Sequence, residues 1–181
     1  MRGRATITVI NEELYSAQDL TALCENRKQN AALFQEKIID SLTHFEPNAQ
    51  KTGIFIEHTP IETISFFTSA YARHGYISDY ALQHLRTITN ASMKKNSNCA
   101  YIYIVCKPEQ AKNNLTLRRR DGEKTLPDDV LETLNSLMLN HMDNNSCDKL
   151  VLDYEYAEQH TKKIIDFLMK IESNDARYVY F

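Results

Sequence analysis

YIYIVCKPEQAKNNLTLRRRDGEKTLPDDVLETLNSL, residues 101–137, is the stretch on which the fold turns. With Cys99 and Ala100 it opens as an apolar, aromatic and β-branched run, CAYIYIVC (99–106), which predicts a strand buried on both faces. Pro108 suits the first turn of a helix reaching about Arg119. Arg118, Arg119 and Arg120 crowd the end of that helix, where its negative pole favours cations. A short acidic loop bearing Gly122 leads to Pro127 and a second helix, with Asp128 and Asp129 near its positive pole. In that helix Val130, Leu131, Leu134, Leu137 and Met138 recur at helical spacing. On the residues alone, three arginines in a chain of net charge −3 allow a solvated helix end, a nucleic-acid patch or one side of a phosphate clamp.

Outward from this unit, strands keep alternating with helices. ATITVI (5–10) alternates like a strand. Residues 17–42 read as helix, with a break near Asn26, and TGIFIEH (52–58) reads as a second buried strand. Pro60 starts a helix whose stripe of Ile61, Ile64, Phe67 and Ala70/Tyr71 runs to Gly75. SDYALQHLRTITNASM (78–93) is a further helix, capped by Ser78 or Asp79. KLVLD (149–153) is a third buried strand, and the helix after it carries Tyr156, His160, Ile164, Phe167, Leu168 and Ile171 on one face. The expected fold is a single α/β domain over residues 1–181, a three-layer sandwich around a mainly parallel sheet. Such sheets bind ligands beyond the carboxyl ends of their strands. Those ends carry Asn11-Glu12-Glu13, Glu57-His58 and Lys107.

Composition narrows the function classes. Hydrophobic residues at 43% and charged residues at 25% describe an ordinary globular domain. The acidic balance argues against a surface built for DNA or RNA. No apolar run approaches the roughly 18 residues of a membrane span, and MRGRATITVINEEL lacks a signal-peptide core, so a cytoplasmic protein is expected. Cys24, Cys99, Cys106 and Cys147 have no C-x-x-C spacing, and His44, His74, His84, His141 and His160 lack metal-ligand spacing. Free thiols and no metal site are expected. The Tyr101/Tyr103 alternation reads as core.

The 101–137 stretch resembles the C-terminal half of the deoxynucleoside kinase family. The matching features are Ile102-Tyr103-Ile104 on a strand, Pro108-Glu109 opening a helix and Arg118-x-Arg120 of a phosphate lid. Glu123, Leu126-Pro127 and Leu131-Glu132-x-Leu134 follow in the same order, and KLVLD matches the next strand. Upstream, Glu12 stands where the family has a Glu-Pro general base, with Glu13 in place of the proline. Phe34-Gln35 matches a base-reading Phe-Gln step. Glu57-His58-Thr59 stands where the family has Glu-Arg-Ser or Asp-Arg-Ser. The likeness spans roughly residues 6–168.

The resemblance implies a role for each group. Glu12 would accept the proton of a sugar 5′-hydroxyl. Gln35 would pair with a base edge through one donor and one acceptor. Arg118 and Arg120 would close over triphosphate oxygens, and Glu57 would hold a magnesium-bound water or orient a neighbour. His58 and Glu123 complete the expected substrate-binding set. ATP and magnesium are the cofactors of an active member. A homodimer through helices 60–74 and 78–93, or another protein partner, also follows from the family. Its compact relatives in large DNA viruses fit a viral source and a host-cell cytoplasmic location.

Two departures stand out. The family opens with a strand and a G-x-x-x-x-G-K-[ST] loop before the Glu-Pro strand, and that first strand lies mid-sheet. In this sequence eleven residues precede Glu12, and no G-K-S or G-K-T occurs in all 181. The lysine and the backbone nest for phosphate are therefore absent from these residues. The motif arginine is also replaced by His58, a group mostly neutral at pH 7. Three functions remain open at this point: a pseudoenzyme that binds nucleosides, nucleotides or a partner; an active deoxynucleoside kinase completed from elsewhere; and a structural subunit. The strand-like tail ARYVYF (176–181) is expected to cover a sheet edge, in this chain or in a partner.

Overall fold

The computed structural model describes residues 7–10, 14–43, 53–56, 59–92, 99–118, 126–172 and 178–180. Strand β1 (Ile7–Ile10) is followed by α1 (Ala17–Glu25) and α2 (Arg27–Thr43). Strand β2 (Gly53–Ile56) leads to α3 (Pro60–Glu62), a π-helical segment (Thr63–Thr68) and α4 (Ser69–Arg73). Then come α5 (Asp79–Ser92), β3 (Cys99–Val105), α6 (Pro108–Arg118) and α7 (Asp128–Asn144). The order closes with β4 (Asp148–Asp153), a 3-10 segment (Tyr154–Gln159), α8 (Thr161–Glu172) and β5 (Tyr178–Tyr180).

Local chemistry sets these boundaries. Ser16 caps α1 by accepting the Asp19 N–H while the Asp19 carboxylate accepts the Ser16 N–H, a reciprocal capping box. The Lys37 ammonium, on α2, meets the same carboxylate and ties the two helices together. Asn26 interrupts them as expected: its carbonyl accepts from Gln29 and Asn30, and Asn30 Nδ2 donates back to the Ala22 carbonyl at 2.8 Å. Gly75 ends α4 at φ +71°, a left-handed conformation that side chains rarely adopt. Ser78 caps α5, its hydroxyl accepting the Ala81 N–H at 3.3 Å.

The five strands form one sheet in the order β1-β2-β5-β3-β4, and every pairing is parallel. The register is continuous: Ile10 stands beside Ile56, Ile56 beside Tyr180, and Tyr180 beside Tyr101. β1, β2 and β5 thus end level with Tyr101. β3 runs on to Val105 beside Asp153 of β4. One part of the core lies between β3–β4 and α8, where Phe167 and Ile171 bury against Ala100, Ile102 and Leu152. On the opposite face Tyr101 and Tyr103 stack 5.6 Å apart, with Met142 of α7 packed over them. Helices on both faces of these strands make the expected three layers.

The largest hydrophobic cluster is helical. Ala31, Phe34, Ile38 and Ile39 of α2 bury against Leu23, Tyr71, Leu85 and Val130 from α1, α4, α5 and α7. Their spacing on α2 is that of one helical stripe, and at about 1.5–3 kcal/mol per large apolar side chain it dominates the helix's docking.

Three expectations are corrected. KLVLD forms a strand but not a buried one: of residues 149–153 only Leu152 is buried, and Val151 is 48% exposed. Tyr156 lies in the 3-10 segment, not on the helix after β4, because the α-helical turn begins only at Thr161, beyond His160. The tail does not cover a sheet edge: β5 lies between β2 and β3, in the middle.

Candidate functional site

The parallel strands direct β1, β2 and β3 toward one edge of the sheet, and Lys107 follows the end of β3 there, exposed. Glu12, Glu57, His58, Arg120 and Glu123 lie outside the described residues. Phe34, Gln35 and Arg118 are described.

Phe34 and Gln35 sit in the buried stripe of α2, which places a carboxamide among hydrocarbon at 1% exposure. An amide in that setting needs partners, since a buried polar group without one costs about 1–3 kcal/mol. Thr68, itself at 0% exposure, donates its hydroxyl to Gln35 Oε1 at 3.4 Å. The Phe34 ring meets Tyr15 at 5.0 Å between centroids, tilted by 50°. Phe34 therefore belongs to the core.

The helix facing α2 carries polar groups that the sequence pattern did not single out. Thr59 opens α3 with a second capping box: its N–H donates to Glu62 Oε2 at 2.9 Å, and its hydroxyl accepts the Glu62 N–H at 3.2 Å. Thr63, fully buried, donates its hydroxyl to the Thr59 carbonyl at 3.1 Å. Burial pushes the Glu62 carboxyl up to about 7, against the pull of its Thr59 hydrogen bonds. The signal was present as T-P-I-E, a capping box with proline in its first turn. Between α3 and α4 the helix widens to π geometry over Thr63–Thr68, and the Ser69 hydroxyl donates to the Ile64 carbonyl at 2.7 Å. Such widened turns occur often at functional sites. Here the widening ends on Thr68, the partner of Gln35.

Arg118 ends α6 and is exposed. An ion pair between Lys112 and Asp128, 2.6 Å, joins α6 to α7 on either side of residues 119–125. Both partners are largely exposed, so the pair contributes at most about 1 kcal/mol. On the other end of α7, Asn145 Nδ2 donates to the Tyr103 hydroxyl at 2.9 Å, and the same hydroxyl is hydrogen-bonded to His141 Nδ1 at 3.0 Å. Burial holds the His141 imidazole below its ordinary value. Cys24, Cys106 and Cys147 form no disulfide among the described residues, and no helix among those residues is long and apolar enough to cross a membrane.

The described elements are a parallel α/β sheet, a buried Phe-Gln step on α2 and an arginine-ended α6. The family model for deoxynucleoside kinases matches residues 4–173. No curated protein matches the chain. Among solved structures, a deoxyadenosine kinase from M. mycoides with products dCMP and a flexible dCDP bound superposes with a TM-score of 0.74. The two share 15% identity, and the match covers 90% of this chain and 85% of that one. At that identity the likeness speaks for the fold, while the family match spans nearly the whole sequence. The chain belongs to the deoxynucleoside kinase family.

Proposed function

We propose that the chain binds a deoxynucleoside or its nucleotide, and that these 181 residues alone do not transfer phosphate from ATP. The observation that carries the reading is the Gln35–Thr68 pair. A carboxamide in a buried apolar stripe, oriented by a second fully buried polar side chain, is expensive to maintain for packing alone. A nucleobase is the ligand chemistry that such an amide, with a donor and a remaining acceptor lone pair, reads. Glu12, beyond the carboxyl end of β1, is the base that would take the 5′-hydroxyl proton in a member that turns over. Glu57, His58 and Glu123 complete the proposed substrate contacts.

Phosphoryl transfer rests on positioning and charge stabilisation. Arg118, exposed at the end of α6, fits a triphosphate oxygen, and Arg120 is its proposed partner. The sequence holds no G-K-[ST] step to cradle the phosphates, so the residues present fit ATP and magnesium only in part. The family match favours a second reading, an active deoxynucleoside kinase whose phosphate cradle comes from residues other than these. Binding and turnover separate the two: melting curves with deoxynucleosides and nucleotides, then a phosphotransfer assay with ATP on each ligand that shifts them. Stabilisation without turnover supports the first reading, and transfer from ATP by this chain overturns it.

A further inference from the structure

The helical run that starts at Pro60 ends on His74, the C-cap of α4, whose N–H reaches the Ala70 carbonyl at 3.2 Å. Its imidazole is mostly covered and meets three side chains. Nδ1 lies 3.3 Å from Asp129 Oδ2, and Nε2 lies 2.9 Å from Thr133 Oγ1. The Tyr76 ring stacks on it, 6.5 Å between centroids and 25° between planes. Asp129 and Thr133 stand one turn apart on α7, so a single ring spans the contact between the end of α4 and the start of α7.

Carboxylate, imidazole and hydroxyl in this order resemble a hydrolytic triad, yet the protons run the other way. The Thr133 hydroxyl donates its one proton to the Asp129 carbonyl at 2.8 Å, and a carbonyl has none to give back. Nε2 therefore faces an acceptor and not a nucleophile to deprotonate. Nδ1 faces an acceptor too, the exposed Asp129 carboxylate. A neutral imidazole has one N–H and serves one of them; an imidazolium serves both. His74 also stands at the negative pole of its helical run, the end that suits a cation. We propose that His74 is a proton-dependent clasp between α4 and α7, closed with both ring nitrogens donating and released on one side when the ring loses its proton. The clasp is present on the acid side of the ring's titration and is lost as pH rises through it. Among the described residues Asp129 is the ion-pair partner of His74, and α5 adds none. Of the other ionisable groups nearby, Tyr76 stacks on the ring, Arg73 and Glu132 are exposed, and Asp128 is held by Lys112. The clasp thus fixes the first turn of the helix that follows residues 119–125.

NMR on the full chain, from about pH 5 to about pH 8, tests this. The ring C–H signals of His74 report its titration, and amide protection factors report the first turns of α7. In the unaltered chain, protection at Val130–Leu134 should step down as the ring loses its proton. Asp129→Asn keeps the Oδ1 that accepts the Val130 N–H at 2.9 Å and turns an N–H toward Nδ1, so it suits a neutral ring. Its His74 midpoint should lie lower by about half a pH unit, the scale of an exposed ion pair, and the step in protection should vanish. Thr133→Val should lower the midpoint as well, because it removes the second acceptor. Equal midpoints in the unaltered chain and Asp129→Asn would overturn the clasp, and so would protection that ignores the ring's titration. An unmoved midpoint in Thr133→Val would overturn the double donation. If either variant does not fold, the protection series on the unaltered chain decides alone.

Discussion

The Thr68 hydroxyl donates to Gln35 Oε1 across the contact between α2 and the π-helical segment, with both residues closed off from water. The pair links a helix that carries the main hydrophobic stripe to a locally widened helix, so its loss bears on the packing of both. Thr68→Val keeps the shape and removes the donor. It should destabilise the chain by about 1–3 kcal/mol in chemical denaturation, because the Gln35 oxygen stays buried and loses a partner. If Gln35 reads a base, the same variant also alters the ranking of deoxynucleosides in melting shifts; an unchanged ranking with lowered stability would confine Thr68 to packing.

Glu62 gives the fold a pH-sensitive component. Its carboxyl is raised from 4.5 to about 7 by burial, so the folded state binds a proton that the unfolded state releases. That contribution is fully present below about pH 4.5 and disappears as pH rises through about 7. Denaturation at several pH values should show wild type losing up to ~3 kcal/mol across this window relative to Glu62→Gln, which has no carboxyl to ionise. A constant difference between the two proteins would contradict the burial argument.

His141 works in the opposite sense. Its folded value lies below 6.5, so its contribution is present above that pH and lost as pH falls. Tyr103→Phe removes the hydroxyl hydrogen-bonded to His141 Nδ1. It should lower stability by about 1 kcal/mol near neutral pH, measured by urea denaturation. No change would mean that the Tyr103 hydroxyl bond adds nothing net to the fold.

Much of this was legible in the sequence because the signals were local. The break at Asn26, the strand 99–106, the helices opened by Pro108 and Pro127, and the core role of Tyr101 and Tyr103 follow from punctuation and periodicity. What escaped was set by tertiary pairing. Three strand-like residues near the end of a sequence look the same whether they cover an edge or fill a centre, and only the ladder to Phe55 and Ala100 distinguishes them for Val179. Gln35 read as a ligand contact by resemblance, and the structure adds that it lies in the buried stripe beside Thr68. Glu62 is the last residue of the T-P-I-E capping box, but its burial is set by tertiary packing that the local pattern does not carry.

The proposed lid role of Arg118 is open to test. Arg118 is exposed at the end of α6, so Arg118→Ala should shift the melting temperature by no more than about two degrees, as exposed substitutions shift stability by less than ~0.5 kcal/mol. If it meets phosphate oxygens, the same variant weakens nucleotide binding and leaves nucleoside binding unaltered, which titration calorimetry at fixed ionic strength separates.

If a nucleobase meets Gln35, calorimetric titration with the four deoxynucleosides will show saturable binding of at least one of them to the unaltered chain, and loss of that heat in Gln35→Met, a variant of similar volume without the amide. Absence of binding to all four, or undiminished binding by the folded Gln35→Met protein, would contradict it.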